Sequence, residues 1–150
     1  MQMLIRELGS PDLKELLVLY AHLHEVDEPT PPLAIVESVW SELLSSPRFR
    51  YFRVILDGQL VASCNLTIIP NLTRACRPYG LIENVVTHRA YRNRGFGKAV
   101  LARAVEVAWE QDCYKVMLMT GRKDEATLRF YQSAGFDPKG KQAFVAKPLA

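Results

Sequence analysis

Apolar residues recur along this chain with two periods, and each change of period marks a new element. Residues 3–8 read as a short first strand. Ser10 and Pro11 then open a helix, with Ser10 as N-cap, Pro11 at the first helical position and Asp12 in the first turn. Leu13, Leu16, Leu17, Tyr20 and Leu23 form its apolar stripe. Pro29, Pro31 and Pro32 force a loop. A second helix follows over residues 33–45, with Val36, Val39, Trp40, Leu43 and Leu44 on one face. Residues 50–56 and 59–69 alternate as strands, joined by the hairpin signal Asp57-Gly58. Residues 70–78 are a polar loop carrying Arg74 and Arg77.

Residues 81–87 are rich in β-branched side chains and predict another strand. A long helix runs from near Gly95 to about Gln111, with Val100, Leu101, Ala104, Val107 and Ala108 on one face. Residues 114–120 are mostly apolar, which predicts a buried central strand. After the polar break 121–125, residues 126–134 predict a helix with Gly135 at its C-cap. Phe136, Pro138 and Gly140 form a turn, and residues 142–148 read as a last strand. The element order is that of an α/β (α+β) chain, a mixed sheet with helices on its faces.

Composition narrows the class without giving a function. The 150 residues suggest one domain, residues 1–150, with a proper core. Apolar residues make up 49% and charged residues 23%, as in ordinary soluble domains. The net charge of +3 is too small to argue for nucleic acid. Cys64, Cys76 and Cys113 are odd in number and form no Cys-x-x-Cys. Neither a disulfide framework nor a zinc site is expected, and the expected compartment is the cytoplasm. No signal sequence and no membrane-spanning apolar run is read. His22 and His24, two positions apart on a helix, point in different directions, so no metal site is expected.

The chemistry concentrates in the basic turn Arg92-Asn93-Arg94-Gly95-Phe96-Gly97-Lys98 between strand and long helix. Glycines let backbone N–H groups approach a ligand, and a helix N-terminus suits a phosphate. Two familiar templates fail. A dinucleotide fingerprint needs a third glycine where Val100 stands, and a P-loop needs Gly at Arg92 and Ser or Thr at Ala99. What remains is Arg-x-x-Gly-x-Gly after a Glu-bearing strand. Here the chain resembles the GNAT superfamily of acetyl-CoA-dependent N-acetyltransferases, whose pyrophosphate signature Arg92, Gly95 and Gly97 satisfy. Residues 127–136, TLRFYQSAGF, resemble the family's second signature through Phe130, Tyr131, Gly135 and Phe136. Asp124 replaces the usual Asn and Thr127 the usual Ala.

The resemblance covers essentially the whole chain. It implies a mixed, mostly antiparallel central sheet flanked by about four helices, with a terminal strand pair that the short tail leaves open. It implies acetyl-CoA as cofactor, held at its diphosphate by the amides of Asn93, Arg94, Gly95, Phe96, Gly97 and Lys98, with charge from Arg92. It implies that the cofactor's peptide-like arm pairs with Val85, Val86 and Thr87, with Asp124, Thr127 and Tyr131 nearby. The acceptor is then a primary amine of a small molecule or peptide.

A lysine-like ammonium, of pKa about 10.4, needs a base. Glu83 is the candidate, reading as sharing a strand face with Val85 and Thr87 while Asn84 faces away. Its alternative is a structural pair with an arginine. The resemblance implies Tyr131, at the family's tyrosine position in the second signature, as the acid for the departing thiolate. His24, Glu25, Asp27 and Glu28 form an acidic stretch that either walls the acceptor site or is a solvated loop. Direct transfer in a ternary complex is expected, against the alternative of a non-catalytic acyl-CoA-binding sensor. The resemblance admits a homodimer among its assembly states.

Overall fold

The computed structural model describes residues 2–149 of the chain. Five strands form one sheet in the order β1 (Met3–Glu7), β2 (Phe49–Leu56), β3 (Gln59–Ile69), β4 (Tyr79–Thr87) and β5 (Val116–Leu118). Neighbours are antiparallel except β4 and β5, which run parallel. The helices are α1 (Leu13–Tyr20), α2 (Leu33–Leu44), the single turn α3 (Thr73–Cys76), α4 (Phe96–Glu110) and α5 (Glu125–Ser133). The chain divides into two compact units, Met1–Leu118 and Met119–Ala150. All five strands belong to the first.

Alternation along β2 and β3 sorts the two faces of the sheet. Phe52 stands opposite Cys64, whose thiol reaches Val100 O of α4 at 3.7 Å. Leu66 continues that face, and a Cβ on Gly80 would come within 2.9 Å of it. The missing side chain at Gly80 therefore lets Ala108 of α4 settle close to the sheet. Tyr51 points the other way and clusters with Leu8, Leu13, Leu16 and Trp40 beneath α1 and α2. Leu19 of α1 forms a second cluster with Leu60 and Val86. Arg53, in the same strand face as Tyr51, is buried. Its charge is met by Asp12 at 2.8 Å and Glu15 at 3.5 Å.

Several expectations need correction. The first helix opens as a 3-10 turn over Ser10–Asp12, with Gly9 rather than Ser10 at the N-cap position. Asp12 supplies the missing acceptor, taking the Gly9 N–H at 2.7 Å. Val39 is half exposed, whereas Trp40 carries the buried face of α2. The strand read as buried and central has three residues, is half-buried, and lies at the edge of the described sheet. Its apolar run is short of a partner on one side, so apolarity alone did not fix its place. Residues 142–148 form no strand. A strand exists only through its ladder, and Phe144 and Val145 find no partner strand among the described residues.

Candidate functional site

The β3–β4 ladder holds one irregularity, and the site is built on it. Asn65 pairs with Glu83 and Ser63 with Val86, so Asn84 and Val85 together oppose Cys64. One extra residue in β4 makes a bulge. Asn84 takes it up with φ 52, a left-handed conformation that asparagine tolerates better than its β-branched neighbours. The bulge shifts the side-chain parity of the strand. Ile82 pairs with Leu66 on the α4 side, but Val86 clusters with Leu19 and Leu60 on the α1 side. The expected sharing of one face by Glu83, Val85 and Thr87, with Asn84 opposite, is therefore wrong. Glu83 lies in the cross-strand row Tyr51–Asn65–Glu83, and Asn84 lines the same groove as Tyr51.

The bulge coincides with an opening. β5 pairs with β4 only through residues 80–82. Residues 83–87 of β4 keep β3 on one side and, among the described residues, have no strand on the other. An extended, amide-bearing ligand can pair with such an edge.

At the end of β4 the chain turns through a 3-10 segment, Arg89–Tyr91, capped by His88 Nδ1, which accepts the Ala90 N–H at 3.1 Å. Arg92 then donates to Thr87 O at 3.2 Å and to His22 O at 2.9 Å. Its guanidinium thus ties the turn to both the strand and the end of α1. Arg94 lies over the rings of Tyr91 and Phe96, 5.4 and 5.3 Å from their centroids. Gly95 closes the turn at φ 85 as the N-cap of α4, and no side chain caps the helix. The first-turn amides of α4 therefore face outward with the positive end of the helix dipole, beside Lys98. That arrangement fits a diphosphate.

The connection from α1 to α2 leaves this turn and runs to the groove. The His22 ring lies 4.1 Å from that of His88, and its Nδ1 accepts the Arg89 N–H at 3.4 Å. Desolvation first, then the neighbours His88, Arg89 and Arg92, hold its pKa below the ordinary imidazole value. Pro31, at the far end, lines the groove. His24, Glu25, Asp27 and Glu28 are exposed and do not line it. Glu28 N–H donates to Asp27 Oδ1 at 2.8 Å within this stretch.

The groove itself holds about 250 Å³ between α1, α2 and the strands beneath. Tyr51 lines it, and its phenol is pushed above the usual range, by burial first and by the Glu83 charge second. Among the described residues Glu83 joins no ion pair, so the alternative of a structural partnership with an arginine finds no support.

The second unit carries the remaining candidates. Asp124 caps α5, accepting the Thr127 N–H at 3.0 Å and the Thr127 hydroxyl at 2.9 Å. These bonds hold its carboxyl below the usual range. The two departures from the family's signature thus compensate one another as a helix cap. The Tyr131 ring lies 5.0 Å from that of Phe130. Gly135, at φ 96, ends the helix, with Phe136 N–H bonded to Tyr131 O and Gly135 N–H to Gln132 O.

Sequence reasoning missed Tyr51, Asn65 and Asn84. The signal for Asn84 was an asparagine inside a β-branched run, a residue type that favours a bulge. Tyr51 and Asn65 follow from counting back from the Asp57-Gly58 turn, but a second bulge near Val54 and Ile55 displaces that count by one.

A parallel strand pair that parts beyond a bulge, next to an uncapped helix behind a basic glycine turn, is the framework of an acyl-CoA-dependent acetyltransferase. The sequence profile of the Acetyltransferase (GNAT) family matches residues 13–136, and the chain belongs to that family. Glucosamine 6-phosphate N-acetyltransferase of Trypanosoma brucei brucei is 34% identical over 141 residues, 92% of this chain and 91% of that protein. Probable glucosamine 6-phosphate N-acetyltransferase 2 of Oryza sativa subsp. japonica is 35% identical over 89 residues. That match covers 59% of this chain and 52% of the rice protein. A solved structure assigned as an acetyltransferase from Agrobacterium tumefaciens str. C58 superposes with a TM-score of 0.90 at 43% identity. The superposition covers 97% of this chain and 99% of that one. The chain is an enzyme, an N-acetyltransferase that uses acetyl-CoA and an amine. No described helix is long and apolar enough to cross a membrane.

Proposed function

We propose that this chain acetylates a primary amine of a small molecule or peptide by direct transfer within a ternary complex. The observation that carries the reading is the bare edge of residues 83–87, which leads from the bulge to the uncapped start of α4. Acetyl-CoA supplies the acetyl group as a thioester: the C–N bond forms, the C–S bond breaks, and coenzyme A leaves as a thiol. The amides of Asn93, Arg94, Gly95, Phe96, Gly97 and Lys98 hold the diphosphate, with Lys98 adding charge. Arg92 contributes by fixing the turn, since Thr87 O and His22 O already occupy its guanidinium.

The main chain of Val85, Val86 and Thr87 holds the peptide-like arm. A bulge N–H at Val85 or Val86 stabilises charge on the carbonyl oxygen, a donor whose loss typically costs about 100- to 1,000-fold in rate. Glu83 accepts the amine proton, directly or through water. Tyr131 donates a hydrogen bond to the departing sulfur. Asp124 and Thr127 steady the helix that carries it. A carboxylate cannot donate, so the cofactor arm must supply the proton in any bond to Asp124. Glu25, Asp27 and Glu28 act at longer range, as a negative field that draws a cationic amine, with His24 beside them as a polar neighbour.

Both units form one catalytic domain in this reading, since the family profile runs across their boundary. Three free cysteines fit a cytoplasmic setting. Nothing supports the non-catalytic sensor.

Initial rates against both substrates test the proposal. Intersecting double-reciprocal lines are expected, with kcat of Glu83→Gln down by about 100-fold or more. Parallel lines mean an acetylated enzyme and refute direct transfer.

A further inference from the structure

The groove beside Glu83 has a chemistry of its own. Leu13, Leu16 and Leu17 of α1 form one wall, and Ile35, Val36 and Val39 of α2 form the other. Asn84 and the Tyr51 phenol are among its few polar groups. Among the described residues no lysine or arginine lines it. The nearest buried cation, Arg53 on the same face as Tyr51, is already met by Asp12 and Glu15. Glu83 shares the row of Tyr51, and its charge is felt at the Tyr51 hydroxyl. One end of the groove is therefore suited to an ammonium and the rest to hydrocarbon.

A phosphate placed here meets no compensating cation, and the nearest charge in the Tyr51 row is the Glu83 carboxylate. An apolar lining gives a phosphate no partner to offset the water it would shed on entering, which disfavours it here. The volume of about 250 Å³ is room for roughly eight water-sized groups.

Resting on the acetyltransferase reading above, we infer that the acceptor is a primary amine with an apolar body, seated in this groove, and not a phosphorylated amino sugar. The relatives named for glucosamine 6-phosphate share the framework, and this chain differs from them in acceptor class. The transfer is unchanged: the amine nitrogen bonds to the acetyl carbon as the thioester C–S bond breaks. The amine proton passes to the base, and an apolar amide and coenzyme A thiol leave. The half-exposed Ile35 and Val39 form the lip over which the hydrocarbon enters.

Thiol release is measured at saturating acetyl-CoA with hexylamine, phenethylamine, ethanolamine and glucosamine 6-phosphate. Binding of each amine to the enzyme–coenzyme A complex is titrated in parallel. Hexylamine and phenethylamine are expected to exceed ethanolamine in kcat/KM by at least about tenfold, and glucosamine 6-phosphate by at least about 100-fold. Ile35→Asp is expected to raise KM for hexylamine by about tenfold or more while leaving KM for acetyl-CoA in place. Val39→Asp at the same lip gives an independent copy of that test.

Preference for glucosamine 6-phosphate overturns the inference. So does a change of oligomeric state in both variants with hexylamine KM untouched, which assigns the groove to a second copy of the chain. Tight hexylamine binding, weakened by Ile35→Asp but without turnover, upholds the groove as an amine site and instead refutes the acetyl-transfer reading on which the inference rests. Absence of both binding and turnover with the apolar amines overturns the inference.

Discussion

Glu83, Asn84 and Tyr131 carry the account at the scale of single residues. Glu83 was legible because a carboxylate in a β-branched strand ahead of a phosphate turn has a chemical reason to be there. Its environment was not, since the bulge at Asn84 redirects the side chains after it. Tyr131 sits in the half-exposed last turn of α5. Its hydroxyl, with a reference pKa near 10, cannot fully protonate a thiolate whose conjugate acid is near 8.5 without tuning. A hydrogen bond to sulfur is the role it can fill. Tyr131→Phe is expected to lower kcat by about tenfold while the coenzyme A Kd changes less than about twofold. Steady-state kinetics beside calorimetric titration measures both. Equal losses in the two would assign Tyr131 to packing.

At the scale of elements, the turn between β4 and α4 is held by backbone carbonyls and a pair of imidazoles. His22 is its pH-sensitive member. Its pKa lies below the ordinary imidazole value, so the unfolded chain takes up a proton before the folded one does. The folded state is favoured in full above about pH 6.5 and loses stability as pH falls below it. Thermal melts are expected to show Tm declining as pH falls from about 6.5 to about 5, with a flatter decline in His22→Gln. Identical slopes would remove His22 from the turn's support.

The elements themselves were largely legible. Strong periodicity gave α1, α2 and α4, and the Asp57-Gly58 turn gave the β2–β3 hairpin. What failed has a common cause. Edge or centre for β5, strand or coil for residues 142–148, and the parity of β4 all depend on what lies alongside. No periodicity within a segment encodes its neighbour.

At the scale of the whole molecule, the family was legible because two signatures lie in separate parts of one chain. The acceptor groove was not, because α1, α2, β2 and β4 each contribute to it from distant positions in sequence. Function therefore divides into two parts with different evidence. Acetyl transfer follows from the family and its cofactor framework, whereas the proposed acceptor class rests on side chains that line a groove. The framework rests on main-chain groups: amides at the start of α4, and a strand edge that β5 leaves open. A crystal structure of the protein grown with coenzyme A tests it most directly. The account predicts diphosphate oxygens about 3 Å from the main-chain amides between Gly95 and Lys98, with the arm laid along Val85 and Thr87. Diphosphate bound elsewhere, with those amides still facing solvent, would contradict it.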